Sequence, residues 1–224
     1  MTLLTSPQRL ETKYVVPTST LPIFLELISS AGMSPIYNSR LVNSLYYDTV
    51  DLLAVADNLS GIMKRKKYRL RWYHSQYPTS AVFEVKEKTG LLGVKHTTDR
   101  LLLNQPTLFC SQPATIINDT SFLNQHPSLI SLFPQTVCTY HRSYYQLNLN
   151  LRATVDSDLM FYQASRYPSS LHLHSIFPFN IVELKYSVDY KHYLSSLFTQ
   201  APIPSQRCSK YLLSHAYLNN ISYL

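Results

Sequence analysis

A Glu-x-Lys tripeptide occurs in three separate segments of the chain. The three copies are Glu11-Thr12-Lys13, Glu84-Val85-Lys86 and Glu183-Leu184-Lys185. Side chains two residues apart leave the same face of a β-strand, so each copy would place a carboxylate beside an ammonium group. A single copy is best explained as part of a solvated face with cross-strand ion pairs, each contributing roughly 0.2–1 kcal/mol. Three copies favour a shared role, because carboxylates can hold a divalent cation while ammonium groups bind phosphate oxygens.

The densest group of cations lies in residues 64–73, which read KRKKYRLRWY. This segment holds six of the chain's twenty lysine and arginine residues and no acidic residue. From Lys67 onward the cations alternate with apolar and aromatic residues, which places Lys67, Arg69 and Arg71 on one face of a strand. Residues 82–88 alternate in a similar way and predict the second strand of a hairpin. The charged face of this hairpin predicts a polyanionic partner.

The remaining periodic segments predict the elements that must position these side chains. Alternation predicts strands at 9–16, 42–48, 64–73, 82–88, 94–103, 137–147, 151–158 and 180–186. Apolar stripes at helical spacing predict helices at 21–31, 49–59, 189–199 and 210–218, the last of them capped by Ser209. Residues 105–135 and 161–179 are predicted to be loops, with short helices in the first, and the sequence assigns them no role. Together the elements predict one domain over residues 1–224, of the α+β class and mainly antiparallel β, with peripheral helices.

The composition excludes several classes of function. The chain has 224 residues, a formal net charge of +7 and four glycines, and it contains neither GxGxxG nor GxxxxGK[ST], so Gly-rich phosphate loops are excluded. Its three cysteines have no CxxC spacing, which argues against a disulfide framework and for a reducing compartment. Neither a secretory signal nor an apolar run of about 18 residues is visible. We therefore expect a cytoplasmic protein, with any peripheral position at the inner face of a membrane provided by a partner.

Charged side chains on many strands suggest how the sheet could be arranged. Arg142 and Arg152 lie on strands that alternate like the basic one, and Asp156 shares the face of Arg152. A sheet that keeps cations and carboxylates on one face could close into a barrel with a polar bore. Unpaired buried charge is costly, so such a bore needs a filling that satisfies it. A polyphosphate chain with Mg²⁺ or Mn²⁺ would do so, with cations on the phosphates and carboxylates on the metal.

The sequence resembles the VTC-type polyphosphate polymerase domain of the triphosphate tunnel metalloenzyme, or CYTH-like, superfamily. The matching motifs are RLETKY (9–14), SLYYDT (44–49), GIMKRKKYRLRWY (61–73), FEVKEK (83–88), YHRSYY (140–145), LRATVDSD (151–158), VELKY (182–186) and SKY (209–211). They follow the family's order and cover nearly the whole chain. The wider superfamily often begins with ExExK, whereas Arg9 stands at the first Glu position here, as is usual in the VTC branch. This removes one possible metal ligand and leaves the role of Glu11 open.

The resemblance implies an eight-stranded antiparallel tunnel that closes around its substrate. It also implies that phosphate is bound by Lys13, Arg69, Arg71, Lys86, Lys95, Tyr140, Arg142, Ser209 and Lys210, and that Glu183 binds metal. From the charged strand faces we add Lys67, Arg152 and Lys185 as substrate-binding candidates. Glu11, Glu84 and Asp156 are further candidates for holding Mn²⁺ or Mg²⁺.

Three functions are compatible with these patterns. The first is a polyphosphate polymerase that transfers the γ-phosphoryl group of ATP to a growing chain, with Arg69, Arg71, Lys86, Arg142 and Glu183 as the catalytic residues. The second is a tripolyphosphatase or nucleoside triphosphatase, which the sequence barely separates from the first because a positioned water leaves little mark. The third is a basic β domain that binds RNA or DNA with tyrosine stacking. The recurrent glutamates would repel nucleic acid, so we expect ATP and polyphosphate or tripolyphosphate as partners.

Overall fold

The computed structural model describes residues 9–75, 77–90, 92–103, 111–166 and 174–222. The chain forms two compact units that alternate along the sequence. Unit 1 comprises Met1–Arg40, Tyr140–Leu159 and Phe177–Cys208. Unit 2 comprises Leu41–Thr139, Met160–Ile176 and Ser209–Leu224. The single domain expected over residues 1–224 stays a prediction.

The described residues form ten strands and six α-helices, which makes the chain α+β and mainly antiparallel, as predicted. The strands are β1 (Arg9–Pro17), β2 (Ser34–Asp48), β3 (Lys64–Tyr73), β4 (Ser80–Thr89), β5 (Leu92–Thr97), β6 (Leu101–Leu102), β7 (Phe133–Asn148), β8 (Leu151–Gln163), β9 (His174–Ile176) and β10 (Phe179–Ser187). The helices are α1 (Leu21–Ser30), α2 (Leu53–Leu59), α3 (Pro113–Ile116), α4 (Thr120–Gln125), α5 (Lys191–Leu197) and α6 (Lys210–Asn219). In the part of the chain described here, no helix is long and apolar enough to cross a bilayer.

Eight of the strands follow one hydrogen-bonded path, β1-β10-β8-β7-β2-β3-β4-β5, while β6 pairs with β4 and β9 pairs with β8. The strand pairs with a defined register, such as β1 with β10 and β3 with β4, are antiparallel. The pairs β1·β10 and β10·β8 belong to unit 1, and β2·β3, β3·β4 and β4·β5 belong to unit 2. Directly opposite residues share a face of a sheet, so these registers decide which side chains meet.

The core of unit 1 covers the apolar face of β1, β8 and β10. Tyr14 on β1 packs between Phe24 of α1 and Phe198, with ring centroids 5.1 Å and 5.6 Å away. The predicted apolar stripe of α1 is confirmed, because Phe24, Leu27 and Ile28 are buried. Loss of a buried aromatic ring such as that of Phe24 would cost about 3–5 kcal/mol. This packing holds the opposite face of the same strands in place.

The core of unit 2 covers the apolar face of the basic hairpin and β2. Leu70 and Trp72 on β3 are buried with Phe83 on β4, as the alternation predicts. The Trp72 indole N–H donates a 2.9 Å hydrogen bond to the Ser75 carbonyl, so its polar atom is satisfied inside the core. Because every second residue of β3 is anchored in this way, the residues between them must leave the opposite face.

Asp48 at the end of β2 connects this strand to two helices of unit 2. Its carboxylate accepts hydrogen bonds from the backbone N–H groups of Ala54 and Val55, at 2.9 Å and 3.2 Å, and from the Tyr211 hydroxyl at 2.8 Å. A carboxylate at a helix N-terminus satisfies N–H groups that have no partner within the helix. This one residue therefore anchors both α2 and α6 to the strand beside the basic hairpin.

Several predicted boundaries were wrong. β2 begins at Ser34 rather than at residue 42. The prediction missed its first residues because residues 34–39 are all exposed and show no alternation between buried and exposed positions. The predicted strand 94–103 is divided into β5 and β6, and α2 begins at Leu53 rather than residue 49. The predicted loop 161–179 contains the end of β8, all of β9 and the start of β10. In the loops that remain, residues 104–110 and 167–173 lie outside the described part of the chain.

Candidate functional sites in the two units

The charged face of unit 1, called here the unit 1 face, is built from the strands β1, β10 and β8. Lys13 lies directly opposite Glu183, and Glu11 lies directly opposite Lys185. On the other side of β10, Lys185 lies opposite Arg152. The register therefore brings two of the three Glu-x-Lys copies together on one face of the sheet.

Two carboxylates on this face share one ammonium group. The Lys13 Nζ lies 2.8 Å from Glu11 Oε1 and 3.4 Å from Glu183 Oε2, and the Lys185 Nζ lies 2.7 Å from Glu183 Oε1. Burial would lower the pKa of Lys13, but attraction to Glu183 and Glu11 raises it above the ordinary lysine value. Burial would raise the pKa of Glu183, but Lys13, Lys185 and Arg142 together hold it well below its ordinary value. Both groups are therefore charged at neutral pH.

Arg142 on β7 forms the second ion pair of the unit 1 face. Its Nε and Nη2 donate to the two carboxylate oxygens of Asp156 at 2.5 Å and 2.7 Å, and Asp156 is 0% exposed. The guanidinium also lies 5.2 Å from the centroid of the buried Tyr140 ring. Burial opposes the charge on Arg142, but the pKa of this residue is raised because Asp156 stabilises the cation. Tyr140, Arg142 and Asp156 thus form one packed group.

The charged face of unit 2, called here the unit 2 face, lies on β3, β4 and β5. Arg69 is directly opposite Glu84, Lys67 is opposite Lys86, and Lys86 is in turn opposite Lys95. Three lysines therefore stand in one row across three neighbouring strands. Like charges directly opposite each other are unfavourable in a sheet, so this row favours the binding of an anion.

Glu84 is the carboxylate at the centre of the unit 2 face. It is 6% exposed and pairs with the Arg69 Nε, with the Lys95 Nζ at 3.2 Å and with the Arg71 Nη1 at 4.0 Å. Burial raises the pKa of Glu84, but Arg69, Arg71 and Lys95 outweigh burial and lower the pKa to about 2. A single carboxylate thus orients two arginines and a lysine.

Two residues predicted at the start of the last helix lie in unit 2. The Lys67 Nζ donates a 2.8 Å hydrogen bond to the Ser209 hydroxyl. Ser209 occupies the N-cap position of α6, as predicted, and Lys210 is the first residue of the helix, but the Ser209 side chain makes no hydrogen bond to the helix backbone. Because Ser209 contacts a lysine of the charged row, it is joined to the unit 2 face through its side chain rather than through the helix terminus.

Ser44 belongs to this face although the sequence did not single it out. It lies opposite Arg71 on β2, and its hydroxyl accepts from the Arg71 Nε and Nη2 at 3.3 Å each. The signal was present in the motif SLYYDT, because Ser44 is a small polar residue directly before Leu45, Tyr46 and Tyr47. Only the register of β2 with β3 shows which arginine it contacts.

The chemistry of the donors on the unit 1 face fits a hard divalent cation. Among the described residues, no three His, Cys, Asp or Glu side chains form a ready metal site. Mg²⁺ is commonly held by only one or two carboxylates, with water and substrate phosphates supplying the remaining oxygens. Glu11 and Glu183 offer two such carboxylates around one ammonium group. Both oxygens of Glu183 are engaged by lysines, whereas the oxygens of Glu84 and Asp156 are engaged by cations that include an arginine.

Comparisons with known proteins bear on the family and the fold of the chain. The family model of the VTC domain matches residues 8–219. Among curated proteins, none matches the chain by sequence.

Two solved structures illustrate the fold. A candidate adenylyl cyclase from Hippeastrum, named for its dominant triphosphatase activity, has a TM-score of 0.56 and 13% identity, covering 92% of this chain and 94% of its own. A candidate adenylate cyclase from Vibrio parahaemolyticus has a TM-score of 0.52 and 13% identity, covering 94% of this chain and 99% of its own. The chain has the fold of both structures. The match over residues 8–219 shows that the chain belongs to the VTC domain family.

Proposed function

We propose that the chain is a polyphosphate polymerase that transfers the γ-phosphoryl group of ATP to the end of a polyphosphate chain. The observation that supports it best is the unit 2 face, where five cations share a strand face with one carboxylate. These cations are Lys67, Arg69, Arg71, Lys86 and Lys95. Such an excess of positive charge on a rigid strand face suits a ligand with several adjacent phosphates.

The residues of the unit 2 face bind and orient the triphosphate in this proposal. Arg69 and Arg71 donate to the phosphate oxygens on which charge develops in the transition state, and Lys67, Lys86 and Lys95 neutralise the remaining oxygens. Glu84 positions Arg69 and Arg71. Phosphoryl transfer needs little covalent chemistry from the protein, so positioning and charge neutralisation can supply most of the rate enhancement.

The transfer itself exchanges one phosphorus–oxygen bond for another. An oxygen of orthophosphate or of the polyphosphate end forms a bond to the γ-phosphorus of ATP. The bond from that phosphorus to the oxygen bridging the β- and γ-phosphates breaks, and ADP leaves with the bonding electron pair. The chain grows by one phosphate, and no oxidant or reductant is required.

The residues of the unit 1 face hold charge of both signs. Glu183 and Glu11 would hold Mn²⁺ or Mg²⁺. When bound, this ion would neutralise negative charge on the triphosphate oxygens. Arg142 is a further phosphate donor oriented by Asp156, and Lys13, Arg152, Lys185 and Tyr140 support the same group. Ser209 and Lys210 contribute to the unit 2 face. The expectation that residues of both faces share one enclosed volume stays a prediction.

The compartment is part of the proposal. Cys138 and Cys208 are free thiols in the described part of the chain. Free cysteines are typical of reducing compartments, and ATP is available in the cytoplasm, so we assign the protein there. ATP and polyphosphate are its proposed partners.

The test is direct synthesis. Purified protein is incubated with ATP and Mn²⁺, the product is separated on a gel stained for polyphosphate, and orthophosphate is measured in parallel. We expect a ladder of polyphosphate that the Arg69→Ala variant does not produce and that the Glu26→Gln variant, changed at an exposed glutamate of α1, still produces. Folded protein that makes no polymer with any divalent metal would overturn the proposal.

Hydrolysis is the second candidate, with water in place of the phosphate acceptor. The Hippeastrum neighbour with a dominant triphosphatase activity favours this candidate, although at 13% identity the likeness shows only the fold. Release of orthophosphate from tripolyphosphate or ATP in the same assay, without polymer, would select hydrolysis. The same cationic residues would then bind the triphosphate.

A further inference from the structure

A loop at the start of the basic strand exposes two large apolar side chains to solvent. Residues 60–63, called here the apolar loop, connect α2 to β3. Ile62 is 46% exposed and Met63 is 68% exposed. Leu59, the last residue of α2, is 45% exposed beside them. Isolated apolar residues on a surface are ordinary, but three large ones exposed within five residues are not.

The apolar loop has a defined conformation. The Ile62 N–H donates to the Asp57 carbonyl at 3.1 Å, and the Gly90 N–H donates to the Met63 carbonyl at 3.0 Å. The Arg65 guanidinium donates to the Ile62 carbonyl at 2.8 Å. Backbone bonds from both sides therefore hold the loop in place, so the exposure of its apolar side chains is a property of the fold rather than of a loose segment.

Cations surround the apolar loop. Lys64 and Arg65 follow it directly in β3, and Lys88 lies opposite Arg65 on β4. Two acids are nearby. Glu87 is paired with the Lys66 Nζ at 2.7 Å, which leaves Asp57 on α2 as the acid set against Lys64, Arg65 and Lys88. Positive charge is therefore in excess around the exposed apolar side chains.

We propose that the apolar loop docks the protein on an anionic lipid bilayer. Ile62 and Met63 would insert at the boundary between headgroups and acyl chains, while Lys64 and Arg65 would contact the negatively charged headgroups. Apolar side chains bordered by cations match the two layers of a membrane surface, which is apolar inside and anionic outside. A protein partner would require an acidic rim around an apolar socket, whereas an anionic bilayer offers both features without a specific shape.

The hairpin between β7 and β8 provides the contrast. Leu149 at its tip is 72% exposed, more than Met63, but its chain neighbours are Asn148 and Asn150. This tip has the apolar exposure without adjacent cations. Leu149 therefore serves as a matched control for a docking site that requires both an exposed apolar side chain and adjacent cations.

The experiment is sedimentation with lipid vesicles. The full chain is mixed with vesicles of phosphatidylcholine, with or without phosphatidylserine, and the bound fraction is measured after centrifugation. We expect binding to the phosphatidylserine vesicles and little to phosphatidylcholine alone. The double variant Ile62→Ser, Met63→Ser should bind at least about tenfold more weakly, and Lys64→Gln about fivefold more weakly. Leu149→Ser should bind as the unchanged protein does.

Two further results complete the test. Circular dichroism should show that the loop variants remain folded, which is expected because the changed side chains are exposed. The Arg69→Ala variant tests whether lipid phosphate binds to the unit 2 face instead of to the apolar loop. We expect this variant to bind vesicles as the unchanged protein does. Equal binding by the Ile62→Ser, Met63→Ser variant, loss of binding in Leu149→Ser or Arg69→Ala, or failure of the unchanged protein to bind anionic vesicles would each overturn the proposal.

Discussion

The unit 1 face and the unit 2 face carry similar side chains in different proportions. On the unit 1 face four cations, Lys13, Arg142, Arg152 and Lys185, accompany three carboxylates, Glu11, Asp156 and Glu183. On the unit 2 face the cations Lys67, Arg69, Arg71, Lys86 and Lys95 accompany the carboxylate of Glu84. The first face is close to neutral, while the second carries a large positive excess.

This difference shows how alternating charged strands can serve different purposes. Where carboxylates and cations are nearly balanced, the ion pairs satisfy one another and leave oxygen donors arranged for a divalent cation. Where cations dominate, the sheet is best satisfied by an added anion. The Glu-x-Lys tripeptide is common to both faces, so its meaning depends on the strands that the register places beside it.

The largest effect on activity should come from the unit 1 face. Glu183→Gln removes the buried carboxylate between Lys13 and Lys185, and we expect turnover of ATP to fall roughly 10²–10³-fold. Binding of tripolyphosphate without added metal, measured by calorimetry, should be unchanged or tighter because a negative charge has been removed. Glu26→Gln is the matched control. Weaker metal-free binding in Glu183→Gln would break the distinction between the two faces.

The buried ion pair of unit 1 should matter most for stability. Arg142→Ala leaves the fully buried Asp156 carboxylate without its bidentate partner, which should lower the free energy of unfolding by about 3–5 kcal/mol. Urea denaturation followed by circular dichroism would measure this loss. A double variant that also carries Asp156→Asn should recover part of it, since the uncompensated charge is then gone. A loss below about 1 kcal/mol would show that solvent reaches this pair.

Acid should act on the unit 2 face through Glu84. Its pKa is about 2 in the folded protein against 4.5 for the unperturbed group, so the folded state binds the proton more weakly than the unfolded state does. The stabilisation is present above pH 4.5 and is lost as the pH falls towards 2, by up to about 3 kcal/mol. Unfolding measured across this interval should show a shallower slope in Glu84→Gln. An identical slope would mean that the carboxylate is not held by its three cations.

The smallest of these effects should be on ligand binding at the unit 2 face. Arg69→Ala removes a charged donor, and we expect metal-free tripolyphosphate binding to weaken roughly 10–100-fold. Arg100→Ala, which changes an exposed arginine beyond the end of β5, should bind as the unchanged protein does. Loss of affinity in both variants would point to a general charge effect, which would not depend on the strand face.

The sequence predicted much of this arrangement because its signals were local. Alternation in residues 64–73 was sufficient to place Arg69 and Arg71 on one face and Leu70 and Trp72 on the other, and both assignments are confirmed. The pairing of Lys13 with Glu183 could not be read from either segment alone, because it depends on which strands are neighbours. The Ser44–Arg71 and Lys67–Ser209 contacts were missed for the same reason.

Boundaries failed where exposure removed the pattern. The first half of β2 is solvent-exposed, so no alternation marks it, and its strand character comes from tertiary pairing. Ser209 takes the N-cap position that its residue type predicts, but its hydroxyl accepts a hydrogen bond from the Lys67 Nζ instead of from the helix backbone. Local propensity is a weak guide where a charged neighbour from a distant segment offers a stronger partner.

The pairing of β1 with β10 has a consequence for how the protein is made. These strands lie at opposite ends of the chain, and the hydrogen bond between Thr12 and Tyr186 joins residues separated by 174 positions. At ribosomal speeds of about 5–20 residues per second, the first strand waits roughly 10–35 seconds for its neighbour to be synthesised. During that interval β1 is an unpaired edge with an apolar side, so the nascent chain should depend on chaperones until β10 has been synthesised.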